Sequence, residues 1–460
     1  MIKKKLIIFL LLICLIFITA FGYGCKKESS SNLPEETFST APLTVKTSKD
    51  LSEYQKEFMR YRDFKDDGFP ILGGFRSYDN IALICGGFEK IPEGQPKKAV
   101  IGYYSMIIYD IKSDKILEVI KYDENEGFIS VFPYGINENW IVYEEDDYDE
   151  FNPNFVFYAI NRKTNETKKL IERKKGHDKF FTKGENIPKG SGWWIASPKG
   201  LLKGDKFYME IYLTGNKVEK EAGSLPVISD SIYEIDLKTG DIKRIVHLTE
   251  RYGGIVSLSI NDHYLAFCFA KQDFEKKMLV EDIYLYSFKS GKVLKFTDNG
   301  VSETPVLTPD DWIIYQVWLP SALTSDPAVQ PQGGVGQFYN VIRPINKEKP
   351  IFTVTVGDKE KHYYSYPTFR GISPSGRFIL FLSPWRILDR KTNTITTLTG
   401  MTGFKPSFPT FRLTQFASDN TLLAIGSTNI PREQLSFELQ LWQWLYIIDI
   451  NKLLQVIEDT

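Results

Sequence analysis

One pattern occurs seven times along this chain of 460 residues, and it limits the possible folds more than any other property of the sequence. An aromatic or aliphatic residue is followed by Asp or a substitute, then by Lys and a small turn residue, and then by aliphatic residues. Two apolar runs joined by a tight turn predict a β-hairpin. With Asp110, Asn161, Asp236, Ser287, Pro344, Asp389 and Asp449 taken as equivalent, successive hairpins are 51, 75, 51, 57, 45 and 60 residues apart.

A second stretch precedes each hairpin, and SYDNIALICG, TPDDWIIYQVW and SPSGRFILFLS are examples of it. In each example a polar turn leads into a nearly all-apolar run, which is typical of a strand buried on both faces. Together with the hairpin, this gives about four strands per repeat, which is the organisation of a β-propeller blade. We therefore predict an all-β fold, a seven-bladed β-propeller of four-stranded antiparallel blades.

Two of these stretches resemble a known family. ISPSGRFILFLS (372–383) resembles the SPDG-x-x-I-x-F segment of TolB-like and WD-repeat-like propellers, and LTPDDWIIYQV (307–317) is a looser version. The resemblance covers residues 69–460 and implies a fold rather than an activity. True WD repeats also carry Gly-His and Trp-Asp pairs, whereas this sequence has no Trp-Asp pair and a single Gly-His pair, Gly176-His177.

The last repeat, LQLWQWLYIIDINKLLQVIEDT, is among the most apolar of the seven. An open solenoid would need a polar cap at this end, whereas in a closed ring the first blade covers the last. We therefore expect the blade that ends at Thr460 to pack against the blade that contains Ile81–Cys85. YIIDINKLLQVI is expected to be the final hairpin of that last blade.

The N-terminus has the pattern of an export signal. Lys3–Lys5 precede a run of sixteen apolar residues, Leu6–Phe21, shorter than the roughly 20 residues that span a bilayer comfortably. Gly24 and Cys25 then resemble the lipobox of bacterial lipoproteins, although Gly22 stands where that box usually has a Leu-like residue. The resemblance implies cleavage after Gly24 and lipid attachment, of the palmitate type, at Cys25. The alternative is an uncleaved membrane anchor, and either arrangement places the following residues outside the cytoplasmic membrane.

The chain is predicted to have three parts: a lipoprotein signal peptide over 1–24, a tether over 25–68 and the propeller over 69–460. Residues 26–47 of the tether contain Ser, Thr, Glu and Pro and few large apolar groups, which suits a solvated linker. Ser52 and Gln55 fit a helical capping box, which predicts a short helix packed on the propeller. An unfolded stalk is the alternative. The apolar residues at helical spacing are Leu51, Tyr54, Phe58 and Tyr61.

Charge and cysteine content exclude a nucleic-acid-binding protein and a disulfide scaffold. The net charge of −1 becomes −4 once the three lysines of residues 1–24 are removed, and a nucleic-acid partner would require a basic surface. Cys85 and Cys268 lie in apolar runs and are interpreted as small buried hydrophobic residues rather than a disulfide scaffold. They belong to the first and fourth predicted blades, so we expect free thiols on opposite sides of the channel.

Signatures of enzymes are absent from the sequence. There is no Gly-x-Ser-x-Gly, no His-Glu-x-x-His, no Cys-x-x-Cys and no sialidase Asp box, so no catalytic residue, metal ligand or cofactor is assigned. His263 in a blade turn and His247 in an outer strand are interpreted as structural. His177 and His362 lie in longer connections that should open on one face of the ring.

Three further stretches are expected on that loop-rich face, where propellers usually bind. The acidic stretch 144–154 could bind Ca²⁺, although a solvated acidic loop is favoured. Trp193-Trp194 could stack on a sugar ring or could begin a blade, and we favour a strand position for one of the two rings. The segment 318–338 has the length of a functional lid or a disordered loop.

The sequence therefore predicts a lipoprotein anchored in the cell membrane on its extracytoplasmic side. Its propeller would be a binding or scaffolding module for a protein or a cell-wall or carbohydrate ligand at the loop-rich face. The alternative is a carbohydrate-active enzyme, a lyase or hydrolase, with its site at the channel mouth. Converging His, Arg and carboxylate groups would favour the enzyme, and a flat or apolar face would favour a partner surface.

Overall fold

Each repeat forms one antiparallel sheet in the computed structural model of the chain. The structure describes residues 44–69, 71–90, 100–121, 130–147, 153–174, 179–185, 187, 193–195, 199–215, 226–275, 278–318, 338–346, 352–354, 368–382, 385–401, 411–427 and 442–459. Over these residues there are seven sheets of four or five strands. The predicted fold class, an all-β seven-bladed propeller, is confirmed.

The strands follow the chain from blade 1 to blade 7 after a short N-terminal segment. That segment contains β1 (Thr44–Thr47), helix α1 (Gln55–Phe58) and β2 (Met59–Asp63). Blade 1 contains β3 (Ile71–Tyr78), β4 (Ile81–Lys90), β5 (Val100–Asp110) and β6 (Lys115–Lys121), and blade 2 contains β7 (Ser130–Ile136), β8 (Trp140–Asp146), β9 (Phe155–Asn161) and β10 (Glu166–Arg173). Helix α2 (Lys179–Thr182) precedes blade 3, which contains β11 (Trp193–Ile195), β12 (Lys199–Lys203), β13 (Lys206–Gly215), β14 (Val227–Asp236) and β15 (Ile242–Leu248).

The remaining elements complete the ring. Blade 4 contains β16 (Gly253–Ile260), β17 (Tyr264–Asp273), β18 (Met278–Ser287) and β19 (Lys292–Lys295), and blade 5 contains β20 (Ser302–Leu307), β21 (Trp312–Trp318), β22 (Phe338–Pro344) and β23 (Phe352–Val354). Blade 6 contains β24 (Thr368–Ile372), β25 (Phe378–Leu382), β26 (Arg386–Asp389) and β27 (Thr394–Thr397). Blade 7 contains β28 (Phe411–Ser418), β29 (Thr421–Ser427) and β30 (Trp442–Asp449), and helix α3 (Ile450–Asp459) follows it.

The hairpin positions identified in the sequence occupy one place in every blade. Asp110 pairs with Ile81, the first residue of the second strand of blade 1, and Asp236 pairs with Lys206 in the same way in blade 3. The Asp236 carboxylate also accepts hydrogen bonds from the backbone N–H groups of Lys238 and Thr239, at 2.9 Å each. An Asp or Asn at this position therefore closes the hairpin turn with its own side chain.

Apolar side chains form seven buried clusters, each between two neighbouring blades. The cluster that joins blade 1 to blade 7 includes Ile84 and Ile107 from blade 1, and Leu423 and Leu445 from blade 7. The predicted packing of the last blade against the blade containing Ile81–Cys85 is therefore confirmed. Burial of apolar surface on both sides of every blade holds the ring closed.

The last blade is completed differently from the prediction. Its outer strand is β2, which pairs antiparallel with β30, from Met59 opposite Ile448 to Asp63 opposite Trp444. The expected final hairpin, YIIDINKLLQVI, is wrong in its second half, because the chain turns into helix α3 directly after Asp449. Ile450, Leu453 and Val456 on that helix are buried against blade 7 and the N-terminal segment.

The predicted tether over 25–68 contains two strands of the propeller sheets. Besides β2, strand β1 pairs in parallel with β27 at the edge of blade 6, with Thr44 opposite Thr394. The predicted capping box does not form: α1 is a single turn whose N-cap makes no side-chain hydrogen bond, and Tyr61 lies on β2. Residues 1–43 lie outside the described part of the chain, and no helix of the described residues is long and apolar enough to cross a membrane.

Candidate functional site

The two faces of the ring differ in their connections. The turn face carries the short turns between first and second strands and between third and fourth strands. The loop-rich face carries the connections between blades and those between second and third strands, which are longer. His177, His362, residues 319–337 and most of the other long connections lie outside the described residues.

Ionisable groups occur at one register position in the second strands, towards the loop-rich face. The position lies four residues beyond the one that pairs with the hairpin Asp or its equivalent, and we call it the fifth-residue position. Every member whose side chain is described is buried. From blade 1 to blade 7 the residues are Cys85, Glu144, Glu210, Cys268, Gln316, Leu382 and Ile425.

Glu210 forms a carboxyl pair with Asp230 between blades 3 and 4. Their side chains interact directly, and both are almost fully buried. Asp230 Oδ2 accepts a hydrogen bond from the backbone N–H of Ile255 at 2.6 Å. Lys199 Nζ lies 3.5 Å from Glu210 Oε2 and donates to the carbonyl of Ile255 at 2.9 Å. Gly254 allows this approach, because a Cβ there would lie 2.7 Å from the Tyr212 ring.

Electrostatics at this pair favour one shared proton. Burial raises the pKa of Glu210 to about 7, against the opposing effect of Lys199. Burial, followed by repulsion from Glu210, raises the pKa of Asp230 well above its usual range. Glu210 Oε2 and Asp230 Oδ1 accept no hydrogen bond from a donor among the described residues. A proton held between the two carboxyl groups removes the repulsion, and Lys199 balances the charge that remains.

A second carboxyl pair lies at the next interface. Glu281 of blade 4 interacts directly with Glu303 of blade 5, and burial, followed by repulsion from Glu303, raises the pKa of Glu281 to about 8. The backbone N–H of Glu281 donates to the carbonyl of Gly300 at 3.0 Å, which fixes the two strands beside each other. The neighbouring Asp282 is bound by Lys295 instead, at 3.1 Å.

At the interface between blades 2 and 3 the carboxyl group with a raised pKa is that of Glu144, and the buried Asp146 lies near it on the same strand. Burial, followed by repulsion from Asp146, raises the pKa of Glu144 well above its usual range, and a hydrogen bond with Tyr134 opposes the shift. Arg76 of blade 1 reaches the same region, because its Nε donates to the backbone carbonyl of Tyr134 at 3.3 Å. Three consecutive interfaces, from blade 2 to blade 5, therefore hold buried carboxyl groups towards the loop-rich face.

The stretch 144–154, predicted as a solvated acidic loop or a calcium site, is divided by the structure. Glu144, Glu145 and Asp146 belong to strand β8 and are buried, so the solvated-loop interpretation is wrong for them. Asp147 accepts hydrogen bonds from the backbone N–H and side-chain amide of Asn154, at 3.0 and 2.6 Å. Residues 148–152 lie outside the described residues, and the described ones include no group of three or more potential metal ligands.

The described histidines and tryptophans have structural positions. His247 lies on outer strand β15 and His263 lies in a blade turn, as the sequence predicted. His247 is 3.0 Å from Ser231 Oγ, and His263 is 2.8 Å from Asp311 Oδ2. Trp193 pairs with Gly215 at the start of blade 3 and packs on the core between blades 2 and 3, so the strand interpretation is confirmed for this ring. Trp194 is half-buried beside it.

Sequence reasoning did not identify the buried carboxyl pairs. A signal for them existed, since the apolar strands WIVYEED and KFYMEIYLTG place Glu144 and Glu210 at the same distance from their blade turns. The two cysteines occupy that same position in blades 1 and 4, and both are free thiols, as predicted.

Comparisons with known proteins show a similarity of fold. No protein-family model and no curated protein matches the sequence. Among solved structures, the chain is similar to the propeller of the Trilobed protease from Pyrococcus furiosus, with 11% identity over 78% of this chain and 92% of that chain, and a TM-score of 0.45. It is similar to an oligogalacturonate lyase in complex with manganese, with 10% identity over 89% and 100% of the two chains, and a TM-score of 0.45.

A third similar structure is that of an acylaminoacyl peptidase, with 11% identity over 80% of this chain and a TM-score of 0.47. The present chain covers 51% of the length of that enzyme. At these identities the similarity concerns the fold alone.

Proposed function

We propose that the protein is an extracytoplasmic lipoprotein, anchored in the membrane through Cys25, whose propeller is a binding module for a protein or for cell-wall carbohydrate. The observation that carries the binding role is the uneven chemistry of the ring. The halves of the strands nearest the turn face build the apolar cores, whereas the halves nearest the loop-rich face hold buried carboxyl groups at three consecutive interfaces.

Buried carboxyl groups with raised pKa values reduce the stability of a fold, and such groups cluster at functional sites. Leu83 and Ile314 show that second strands accept aliphatic residues two positions nearer the turn face, where both are fully buried. The fold therefore has no need of acidic groups inside these strands. Their position beside the loop-rich face supports ligand binding there.

A carbohydrate-active enzyme is the less favoured function. Glycosidases that use two carboxyl groups separate them by about 5–9.5 Å, with room for substrate and water, whereas Glu210 and Asp230 are in direct contact. Of the described histidines, His247 lies on the outer strand β15 and His263 lies in the turn between β16 and β17, on the turn face. The carboxyl pairs thus lack the separation that this chemistry requires.

Anchoring is tested by Cys25→Ser. The variant should be released into the medium or should accumulate as the uncut precursor, because the lipid carrier is lost. Cys14→Ser, in the apolar run of the predicted signal, is the matched control and should behave as the unchanged protein. Processing and membrane attachment that persist in Cys25→Ser would contradict lipidation at this residue.

Binding is tested with the purified full-length protein, presented to isolated cell-wall polysaccharide and, separately, to the extracytoplasmic proteins of the same cells. We expect saturable binding to one of these two classes. Glu144→Gln and Glu210→Gln should weaken it, whereas Glu166→Gln, at an exposed position on outer strand β10, should not. Turnover of the polysaccharide would favour the enzyme instead.

A further inference from the structure

The inner strands of the ring carry positive charge. In a propeller the first strand of each blade lines the central channel, and here these strands are β3, β7, β12, β16, β20, β24 and β28. Their only acidic residue is Glu303, whose side chain interacts with that of Glu281. Their basic residues are Arg76, Lys199, Lys203, Arg370 and Arg412.

Arg76 lies on β3, the channel-lining strand of blade 1. The residue as a whole is exposed to solvent. Burial of its guanidinium by the surrounding protein is the largest cause of its lowered pKa. A guanidinium that is surrounded by protein and still reaches solvent is expected inside a channel. Its Nε and Nη1 donate to the backbone carbonyls of Tyr134 and Phe75, at 3.3 and 3.0 Å. Within the described residues no carboxylate forms an ion pair with it.

Arg370 has the same character on blade 6. It is exposed, and burial alone lowers its pKa, with no contribution from a neighbouring charge. The register between β24 and β25 shifts between Phe369 and Gly371, so that Arg370 is the extra residue of a β-bulge. Similar shifts occur in the first strands of five other blades, so the bulge is a general feature of these blades. No ion pair to this residue is present in the described part of the chain.

Lys199 is the third basic residue, on blade 3. Half of its side chain is exposed, and its Nζ lies 3.5 Å from Glu210 Oε2. Glu210 and Asp230 lie on β13 and β14, which are not channel-lining strands. On the channel-lining strands a single carboxyl group, that of Glu303, opposes the charges of Arg76, Arg370 and Lys199.

We propose that the central channel is a binding site for an anionic ligand, whose carboxylate or phosphate groups contact Arg76 and Arg370, with Lys199 nearby. The guanidinium group presents a planar fork of donors that matches both anions. A channel lined by one sign of charge in a low-dielectric surround also attracts the opposite charge strongly. This inference rests on the proposed binding function and assigns the chemical class of its ligand.

The test uses purified full-length protein in detergent and three polymers. Hyaluronate supplies carboxylates, inorganic polyphosphate supplies phosphates, and dextran is a neutral control. We expect at least one anionic polymer to bind, with an affinity that falls as salt is added, and no binding of dextran. Which of the two binds identifies the anion. Binding of dextran as tight as that of the anionic polymers, or binding of none of them, overturns the inference.

Two variants of equal charge locate the site. The channel variant combines Arg76→Gln with Arg370→Gln, and the control combines Lys243→Gln with Lys292→Gln, exposed on outer strands β15 and β19. Since charge-assisted hydrogen bonds are the strong ones, the channel variant should lose at least about tenfold in affinity, and the control less than about twofold. Equal losses in both variants would mean non-specific attraction and would overturn the proposal.

Folding is checked by the melting temperature of each variant. If the channel variant does not fold, Arg370→Gln alone is compared with Lys292→Gln by the same criterion. Saturable binding of a neutral glycan or a protein, with no binding of either anionic polymer, would overturn the anionic ligand and leave the proposed binding function intact.

Discussion

Closure of the ring by the N-terminal segment makes Phe58 a sensitive position. This residue ends helix α1, is 2% exposed, and packs in the cluster that also contains Leu453 and Val456 of helix α3. Phe58→Ala would remove the ring of the phenylalanine and leave a cavity where the first and last described segments of the chain meet. The substitution changes no charge and no backbone hydrogen bond.

The expected loss of stability follows from burial. Truncation of a fully buried Phe to Ala costs about 3–5 kcal/mol, a large fraction of the roughly 5–15 kcal/mol that stabilises a typical folded protein. For a cooperative unit of about 400 residues, with an unfolding entropy near 2.1 cal/mol/K per residue, this corresponds to a melting temperature lower by about 4–6 °C.

The measurement is thermal unfolding followed by circular dichroism. Val45→Ala is the matched control, because Val45 lies in the same segment, on β1, and is 71% exposed. It should change the free energy of unfolding by less than about 0.5 kcal/mol. If Phe58→Ala melts within about 1 °C of Val45→Ala, the N-terminal segment does not belong to the cooperative unit, and the closure described above is wrong.

Three further predictions concern buried charges and thiols. The side chain of Arg390 is 2% exposed, and its Nη2 lies 2.7 Å from Asp310 Oδ2. Asp310→Ala removes this carboxylate from the buried guanidinium and should lower the free energy of unfolding in urea by about 3–5 kcal/mol. Asp262→Ala, which breaks an exposed pair with Lys203, should lower it by less than about 1 kcal/mol. Glu210 has a pKa of about 7, above its ordinary value of 4.5, so the folded state holds its proton more tightly and stability should fall by roughly 3 kcal/mol as the pH rises from 4.5 to 7. That decline should be smaller in Glu210→Gln, and an unchanged pH profile would contradict the shared proton. Cys85, whose pKa burial raises to about 12, and Cys268 should resist maleimide at pH 8 until the protein unfolds, and rapid labelling of the native protein would contradict their burial.

The repeat in the sequence was sufficient to predict the blades because it records both strand period and turn chemistry. The hairpin Asp or Asn occupies the same register position in each blade, and its side chain also closes the turn that follows it. Trp140 opposite Asn161 repeats in blade 2 the pairing seen in blades 1 and 3. A signal of this kind is local, so a single sequence displays it.

The completion of blade 7 was not predicted because outer strands bury little. Strand β2 has the sequence MRYRD, with two charged arginines and an exposed tyrosine, and nothing in it resembles the apolar inner strands. Its partner β30 is nearly 400 residues away, so the pairing is invisible to any local pattern. The segment after Asp449 was interpreted as a strand, although Ile450, Leu453 and Val456 already follow a helical period.

The carboxyl sites were missed for a different reason. A run such as WIVYEED shows acidic residues at the end of a strand, and its composition alone suggests a loop. Which of those residues face the next blade depends on the packing of two sheets, and that is decided by tertiary structure. The pairing of Glu210 with Asp230 likewise joins adjacent strands whose connection is long and lies largely outside the described residues.

The repeats themselves show that the acidic residues are not required by the fold. At the fifth-residue position, blade 7 has Ile425 and blade 1 has Cys85, both completely buried, while blades 2 and 3 have Glu144 and Glu210. One backbone position in one ring thus accepts an aliphatic residue, a thiol or a carboxyl group. Because the apolar choice avoids the desolvation of a charge, stability alone would favour it in every blade. Blades 2 and 3 depart from it where the loop-rich face begins, and departures of this kind are expected at functional sites.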